Sequence, residues 1–308
     1  MKKNNKNINE LLADKPELLF IIQTLSDDLA TDYSLVSEFN YQEFIRLIKH
    51  HRLDSIFYKA VQEQNIELPS ELKIKIEQIN KRNKMRMMKL TAELIRIHKL
   101  FTENNIDYIS LKGPALSQQI YGDYTIRSSR DLDILVRVGD LDKVNLLLEE
   151  IGYFTKIKNF IKHQKAHHDI EYINSVKRVK LEIHSRLFSF EKMFDNDNSL
   201  LFDNYEFIKV NNIDIKVLNN KINLDYLFTH AENHSWELLY WIVDLIKFDI
   251  DADKLVNNFL INNKKNKRDR RLSYFLYLFL LKKSVIYKYS VFFVHFIRLK
   301  NWLKRKVD

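Results

Sequence analysis

Residues 111–136 read LKGPALSQQIYGDYTIRSSRDLDILV, and the architecture can be argued outward from this stretch. Asp107-Tyr-Ile-Ser-Leu-Lys112 carries apolar residues up to a sudden Gly113-Pro114, which predicts a short strand ended by a turn. Pro114 suits the first turn of a helix, where its missing N–H costs nothing. Gly113 lets the backbone come close to a ligand, and the free N–H groups of the following helix attract anions. Lys112, beside that turn, can reach a phosphate as a point charge. The second half, Asp131 to Val136, predicts another strand. Residues two apart in a strand share a face, about 6–7 Å from one another, so Asp131 and Asp133 project together while Leu132 and Ile134 face a core. Two carboxylates held side by side repel, and taking both from water is costly. A divalent cation relieves both, and Mg²⁺ is suited to one or two carboxylates plus substrate phosphates. Strand, glycine turn, helix and acid-bearing strand thus set an anion site beside a cation site, as a nucleoside triphosphate with its metal requires.

Lys112-Gly113, Tyr121, Arg127 and Asp131-x-Asp133 resemble the signature of the uncharacterised nucleotidyltransferase family, within the polymerase-beta-like nucleotidyltransferase superfamily. The resemblance runs from His51-Arg52 to the helix ending near Asp244. It implies an α/β fold, with a nucleotidyltransferase-type mixed sheet core flanked by N-terminal and C-terminal helical regions, and transfer of a nucleoside monophosphate from an NTP such as ATP. It also implies a third carboxylate on a neighbouring strand. Glu182, in Val179-Lys-Leu-Glu-Ile-His184, is the best match, with His184 on the same strand face as a substrate-binding residue; Asp169 and Glu171 are its rivals. Asp131, Asp133 and Glu182 would then be both the catalytic and the metal-holding residues, with Mg²⁺, or Mn²⁺ in its place. Two departures stand out. The serine that often follows the first glycine is replaced by Pro114, so Lys112, Ser117 or Ser129 would have to compensate at the phosphates. Where arginines are expected before Trp241 the chain has Leu238 and Tyr240. Arg127 and Arg130 flank the acid-bearing strand, and Arg127, which matches the motif, is the preferred counter-charge to the triphosphate.

Composition narrows the classes further. The 308 residues contain no cysteine, which excludes disulfides, thiolate zinc sites and a cysteine nucleophile and fits a reducing, cytoplasmic setting. The N-terminal MKKNNKNINELL lacks the apolar core of a secretory signal, and no run of apolar residues is long enough to predict a transmembrane segment. Four glycines and three prolines predict a largely helical chain. A net charge of +9 favours polyanions, so RNA stays open as an acceptor beside small molecules, peptides and proteins.

The pattern divides into an N-terminal helical region (1–105), a nucleotidyltransferase core (106–219) and a C-terminal helical region (220–308). Helices are expected over Pro16–Leu29, Tyr41–Gln64, Ser70 to about Asn104, and Asp140–Ile151. In the third, Lys81 to Lys89 reads as a solvated basic face with methionines filling the core. Tyr153–Lys158 is a strand candidate, and Phe160–His168 reads as a basic loop at the mouth of the site. Hairpins are expected around Asn174-Ser175-Val176 and Asn211-Asn212. A helix over Leu224–Trp236 would place His230 and His234 one turn apart, while Asn262–Arg271 reads as a basic loop and the aromatic stretch Leu272–Leu303 as an amphipathic helix ending in Lys304-Arg305-Lys306.

Overall fold

The computed structural model describes residues 15–25, 40–164, 167–188, 199–234 and 237–248. The expectations for residues 26–29, for Trp236 and for the basic tail lie outside these. The chain divides into two units, Met1–His51 with Ala231–Asp308, and Arg52–His230.

In the first unit, α1 (Pro16–Leu25) is apolar almost all round and correspondingly buried, and α2 (Tyr41–His50) is amphipathic, burying Phe44 and Ile48. Asn40 caps α2 by accepting from the N–H groups of Gln42 and Glu43, each at 3.1 Å. Among the described residues of this unit, the helix Leu239–Lys247 buries Leu239 to Leu245. Its Leu239 N–H donates to His51 Nδ1 at 3.4 Å.

The second unit carries the sheet. The single helix expected over Tyr41–Gln64 is two: α2 ends at His50, and α3 (Asp54–Glu63) begins after Arg52, whose φ of +55° turns the chain. No glycine or proline marks that break. Next, α4 (Ser70–Glu103) runs 34 residues without an internal glycine or proline. Its stripe from Met87 through Leu90, Leu94 and Ile97 to Phe101 recurs at helical spacing and is buried against one face of the sheet.

Six strands form that sheet: β1 (Tyr108–Ser110), β2 (Asp131–Val136), β3 (Asp169–Asn174), β4 (Val179–His184), β5 (Tyr205–Val210) and β6 (Ile213–Leu218). Their order is β3-β4-β2-β1-β6-β5. β2–β4 and β1–β6 are parallel; β1–β2, β3–β4 and β5–β6 are antiparallel. The sheet is therefore mixed, as the α/β reading requires. Asn211 and Asn212, with φ of +49° and +64°, make the tight turn of the β5–β6 hairpin. Between the strands lie α5 (Gly113–Tyr121), α6 (Leu141–Glu150), α7 (Phe160–Gln164) and α8 (Ser199–Asp203), and α9 (Asn220–Asn233) follows the last of them. Leu132, Ile134 and Val136 of β2 and Leu181 and Ile183 of β4 join the α4 and α6 side chains in one core, so the alternate residues of these strands face the other way.

Two local expectations are corrected. Tyr153–Lys158 is not a strand; only Phe154 pairs, with Ile173. Phe160–Gln164 is the short helix α7 rather than loop, with the His163 and His167 rings stacked at 4.3 Å.

Candidate active site

The site occupies the sheet face opposite the α4 core. It begins where β1 ends. Gly113, at φ +68°, turns the chain into α5 with Pro114 in the first turn, and a Cβ there would lie 3.5 Å from the Asp131 carbonyl oxygen. The glycine is required by its left-handed backbone more than by lack of space. The turn thereby abuts the first acid of β2.

On β2, Asp131 and Asp133 share the face, as expected. The parallel register places Asp133 opposite Glu182 and Asp131 opposite Lys180, while β3 places Glu171 opposite Glu182. Glu182 therefore comes to the aspartates' side, between β2 and β3. Asp133, Glu182 and His184 each offer a ligand atom, all within 4.8 Å of one another. His184 Nε2 lies 3.3 Å from Asp133 Oδ1 and 3.9 Å from Glu182 Oε2. Its Nδ1 is buried with no hydrogen-bond partner among the described residues. A buried lone pair is cheaper to leave unpaired than a buried N–H, so we assign the proton to Nε2, donating to Asp133.

Two lysines hold this acid group together. Lys112 Nζ donates to Asp133 Oδ1 at 3.0 Å and lies 5.5 Å from the centre of the Tyr226 ring of α9. Lys180 Nζ bridges Glu171 Oε2 at 2.6 Å and Glu182 Oε1 at 2.7 Å. The charges differentiate the three acids. Burial pushes all three carboxyls upward. At Asp133 the Lys112 charge and the His184 hydrogen bond outweigh it and hold the group well below the usual carboxylate range. At Asp131 burial and the Asp133 charge prevail and raise the pKa. At Glu182 the same two causes, burial and then Asp133, raise it despite Lys180. For Lys112, Asp133 overcomes burial and keeps the ammonium firmly protonated. Burial lifts the Tyr226 hydroxyl to about 12. The face thus carries one firmly ionised acid beside two that take up protons more readily.

The remaining residues singled out in the sequence fall in distinct places. Ser117 is fully buried; its hydroxyl donates to the Asp123 carbonyl at 2.6 Å and accepts from Arg127 N–H at 2.9 Å, which ties down the loop before β2. Ser129 Oγ donates to the Asp131 carbonyl at 3.0 Å. Arg127 is buried in that loop, whereas Arg130 is exposed at its end. Asp169 sits opposite His184 at the start of β3, two residues before Glu171. His230 lies on α9, but His234 follows the end of that helix. Lys180 was missed, although Lys-x-Glu in a strand is a same-face signal. Tyr226 was missed because nothing in its own helix marks it.

A mixed sheet that presents three carboxylates beside a glycine turn and a helix N-terminus defines the nucleotidyltransferase class. A family model described as uncharacterised nucleotidyltransferase matches residues 37–278. The chain belongs to that family, and its enzymatic activity is nucleotidyl transfer. No curated protein matches the chain. Among solved structures, it is similar to the lincosamide antibiotic adenylyltransferase LnuA with lincomycin bound, at 18% identity over 51% of this chain and 95% of that one, TM-score 0.37. An antigenic nucleotidyltransferase-like protein from Paracoccidioides brasiliensis matches at 14% identity over 57% and 88%, TM-score 0.37. The antibiotic-resistance factor ANT(2'')-Ia matches at 11% identity over 57% and 97%, TM-score 0.37.

Proposed function

We propose that the protein moves a nucleoside monophosphate from an NTP, with ATP the first to try, to a hydroxyl of a small molecule, peptide or protein. The acceptor oxygen bonds to the α-phosphorus as the bond to the leaving pyrophosphate breaks, and the hydroxyl proton passes to a base. The observation that carries this reading is the pairing of Glu182 with Asp133 on the face that also holds Asp131.

Each residue then has a task. Lys112 and the Gly113 turn hold phosphate oxygens. Glu182, whose pKa burial and Asp133 raise, is suited to take the acceptor proton. Lys180 keeps Glu182 in place, and the His184 hydrogen bond fixes the orientation of the Asp133 carboxylate. The donor set fits a divalent cation: Asp133, Glu182 and His184 converge within 4.8 Å of one another, and Asp131 shares their face. Asp131 and Asp133 would hold Mg²⁺ or Mn²⁺, and Glu182 would either join them as a ligand or, if only one ion binds, act as the base that takes the acceptor proton. Such an ion supplies charge stabilisation for the attacking and leaving oxygens.

Of the basic segments that would serve RNA as acceptor, 262–271 and the tail after it lie outside the described residues. No helix among the described residues is long and apolar enough to cross a membrane, and a chain free of cysteine suits the cytoplasm. Incubation with each labelled NTP, Mg²⁺ or Mn²⁺, and lysate tests the proposal. The expected result is a labelled acceptor and released pyrophosphate, both lost in the Asp131→Asn, Asp133→Asn double variant. Labelling that survives in the double variant would sink these assignments.

A further inference from the structure

The strand register lays side chains in rows across the site face. Asp131 of β2 stands opposite Lys180 of β4, Lys180 opposite Ile173 of β3, and Ile173 opposite Phe154, the isolated bridge beyond the β3 edge. Cross-strand partners project to the same side of a sheet, so all four share the face of the acids. Two backbone hydrogen bonds close the bridge, from Phe154 N–H to the Ile173 carbonyl at 3.1 Å and from Ile173 N–H to the Phe154 carbonyl at 2.9 Å, and they fix where the Phe154 ring emerges. The adjoining row is Asp133, Glu182 and Glu171. Phe154 is 64% exposed and Ile173 45%, whereas Ile170 and Tyr172, on the other face of β3, lie in the core. Folding therefore gains little from these two side chains. Exposed apolar residues scattered singly are ordinary. Two neighbours in register, continuing the row that begins at Asp131, are not scattered.

Displacement at the α-phosphorus keeps the attacking and leaving oxygens roughly in line, on opposite sides of the phosphorus. The sheet order β3-β4-β2-β1 gives those two sides different linings. On the nucleotidyl-transfer reading, Lys112 and the Gly113 turn hold the pyrophosphate, and both follow β1. The acceptor then arrives from the opposite side, over β4 and past Glu182 and Lys180, with β3 beneath the rest of it. At about 4.8 Å per strand, the row from Asp131 to Phe154 spans about 14 Å, and the part beyond β4 about 10 Å. Lys180, the cation of these rows, is already bridged to Glu171 and Glu182. A negatively charged acceptor would meet carboxylates there without a cation to pair with.

We propose that Ile173 and Phe154 form the acceptor seat, and that the acceptor is a small molecule carrying its hydroxyl on an uncharged apolar body. The assignment rests on the transfer reading for the reaction, but on the register alone for the place and chemistry of the seat. The acceptor oxygen bonds to the α-phosphorus, the bond to pyrophosphate breaks with its electron pair on the leaving oxygen, and the hydroxyl proton passes to the base. Ile173 and Phe154 touch only the body of the acceptor and take no part in moving the proton.

The probe is 2-naphthalenemethanol, with methanol as a reference too short to reach β3. Equilibrium dialysis measures binding of the probe to the full chain, chromatography measures the adenylate ester formed from ATP and each alcohol, and thermal unfolding runs alongside. Wild type is expected to bind the probe and to favour it over methanol in kcat/KM by roughly 10- to 100-fold, the worth of covering one aromatic body. Phe154→Ser and Ile173→Thr should each weaken binding and bring that ratio toward one. Both should keep the wild-type unfolding midpoint, because neither side chain is in the core. No binding by wild type, or variants that bind and convert the probe as wild type does, would overturn the proposal. The two readings fail separately. Binding that both variants lose, with no ester formed from either alcohol, defeats transfer and keeps the apolar seat. Ester formed from both alcohols without preference, in all three proteins, keeps transfer and defeats the seat.

Discussion

Asp133 and Glu182 are direct partners across the parallel β2–β4 pairing, so two carboxylates stand side by side on one face of the sheet. Neighbouring strands are about 4.8 Å apart, and at such a distance two like charges screened by neither metal nor bulk water repel appreciably. The chain answers with a lysine on each side, Lys112 at Asp133 and Lys180 at Glu182. The residual repulsion falls on Glu182 and Asp131, whose pKa values burial and Asp133 raise.

A carboxyl with a raised folded pKa stabilises the fold at pH values below its unfolded pKa, and that contribution is lost as pH rises through the folded value. Glu182 and Asp131 therefore weaken the metal-free chain at neutral pH. Glu182→Gln should raise its unfolding midpoint there, with the gain vanishing below about pH 4, where both forms are neutral. Lys180 keeps Glu171 as a partner in that variant. Divalent cation should reverse the order: Mg²⁺ or Mn²⁺ raises the wild-type midpoint at neutral pH and progressively less on acidification, and a chelator removes the gain. Thermal scans across pH, with and without ion, check both. A cation-induced shift of equal size in Glu182→Gln would remove Glu182 from the ligand set.

The two aspartates should separate in stability although both are needed for turnover. Asp133→Asn leaves buried Lys112 without its counter-charge, and breaking a buried pair from one side costs about 3–5 kcal/mol. Asp131, less buried and already inclined to hold a proton, should cost much less as asparagine. Either change should lower kcat at least about 10²-fold, since each removes charge aimed at the reacting centre. Adding Lys112→Met to Asp133→Asn should restore much of the stability and none of the activity. Denaturant titrations of wild type, Asp133→Asn, Lys112→Met and their double variant would reveal the coupling, and additive losses would contradict it.

The stretch 111–136 is legible because its signals are local: a period of two in β2, a glycine-proline turn, and a helix between. The three-acid face is legible only in part. That Asp131 and Asp133 share a side follows from strand geometry alone, whereas their pairing with Glu182 depends on a parallel contact across some fifty residues, which no local pattern encodes. The same non-local contact brings Lys180 in, and α9 brings Tyr226 over Lys112. Local reading fails where backbone strain or tertiary context decides. Arg52 takes a left-handed conformation without a glycine, so one expected helix is two, α2 and α3. Tyr153–Lys158 has a strand's composition but finds a partner only at Phe154. Lys81–Lys89 has the pattern of an ordinary solvated face because Asn83 reveals its role only through contacts on α3 and the loop before β2.

Ser117 is a candidate phosphate contact in the sequence, yet its hydroxyl is occupied on both sides by the Asp123 carbonyl and the Arg127 N–H. Ser117→Ala would leave a buried N–H and a half-buried carbonyl short of partners, a loss of about 1–3 kcal/mol. The effect on kcat/KM, measured well below the midpoint, should be far smaller than that of Asp133→Asn. A large fall in kcat/KM at unchanged stability would instead place the hydroxyl on the substrate.

His51 supplies a pH prediction independent of the acids. Burial, with the charges of His50 and Arg46, depresses its pKa to about 4, and its Nδ1 accepts from Leu239 N–H, a bond that requires this nitrogen to be unprotonated. A depressed folded pKa means that the unfolded chain takes up the proton first. Stability is therefore intact above about pH 6.5 and falls by about 1.4 kcal/mol per pH unit from there toward pH 4. His51→Gln keeps an acceptor for Leu239 but cannot be protonated, so its stability should decline less steeply over that window. His168, also depressed to about 4 by burial and then by His184, contributes a slope of the same sign to both proteins, so the difference between them isolates His51. Parallel stability curves for wild type and His51→Gln would show that the ring is already open to solvent protons in the native state.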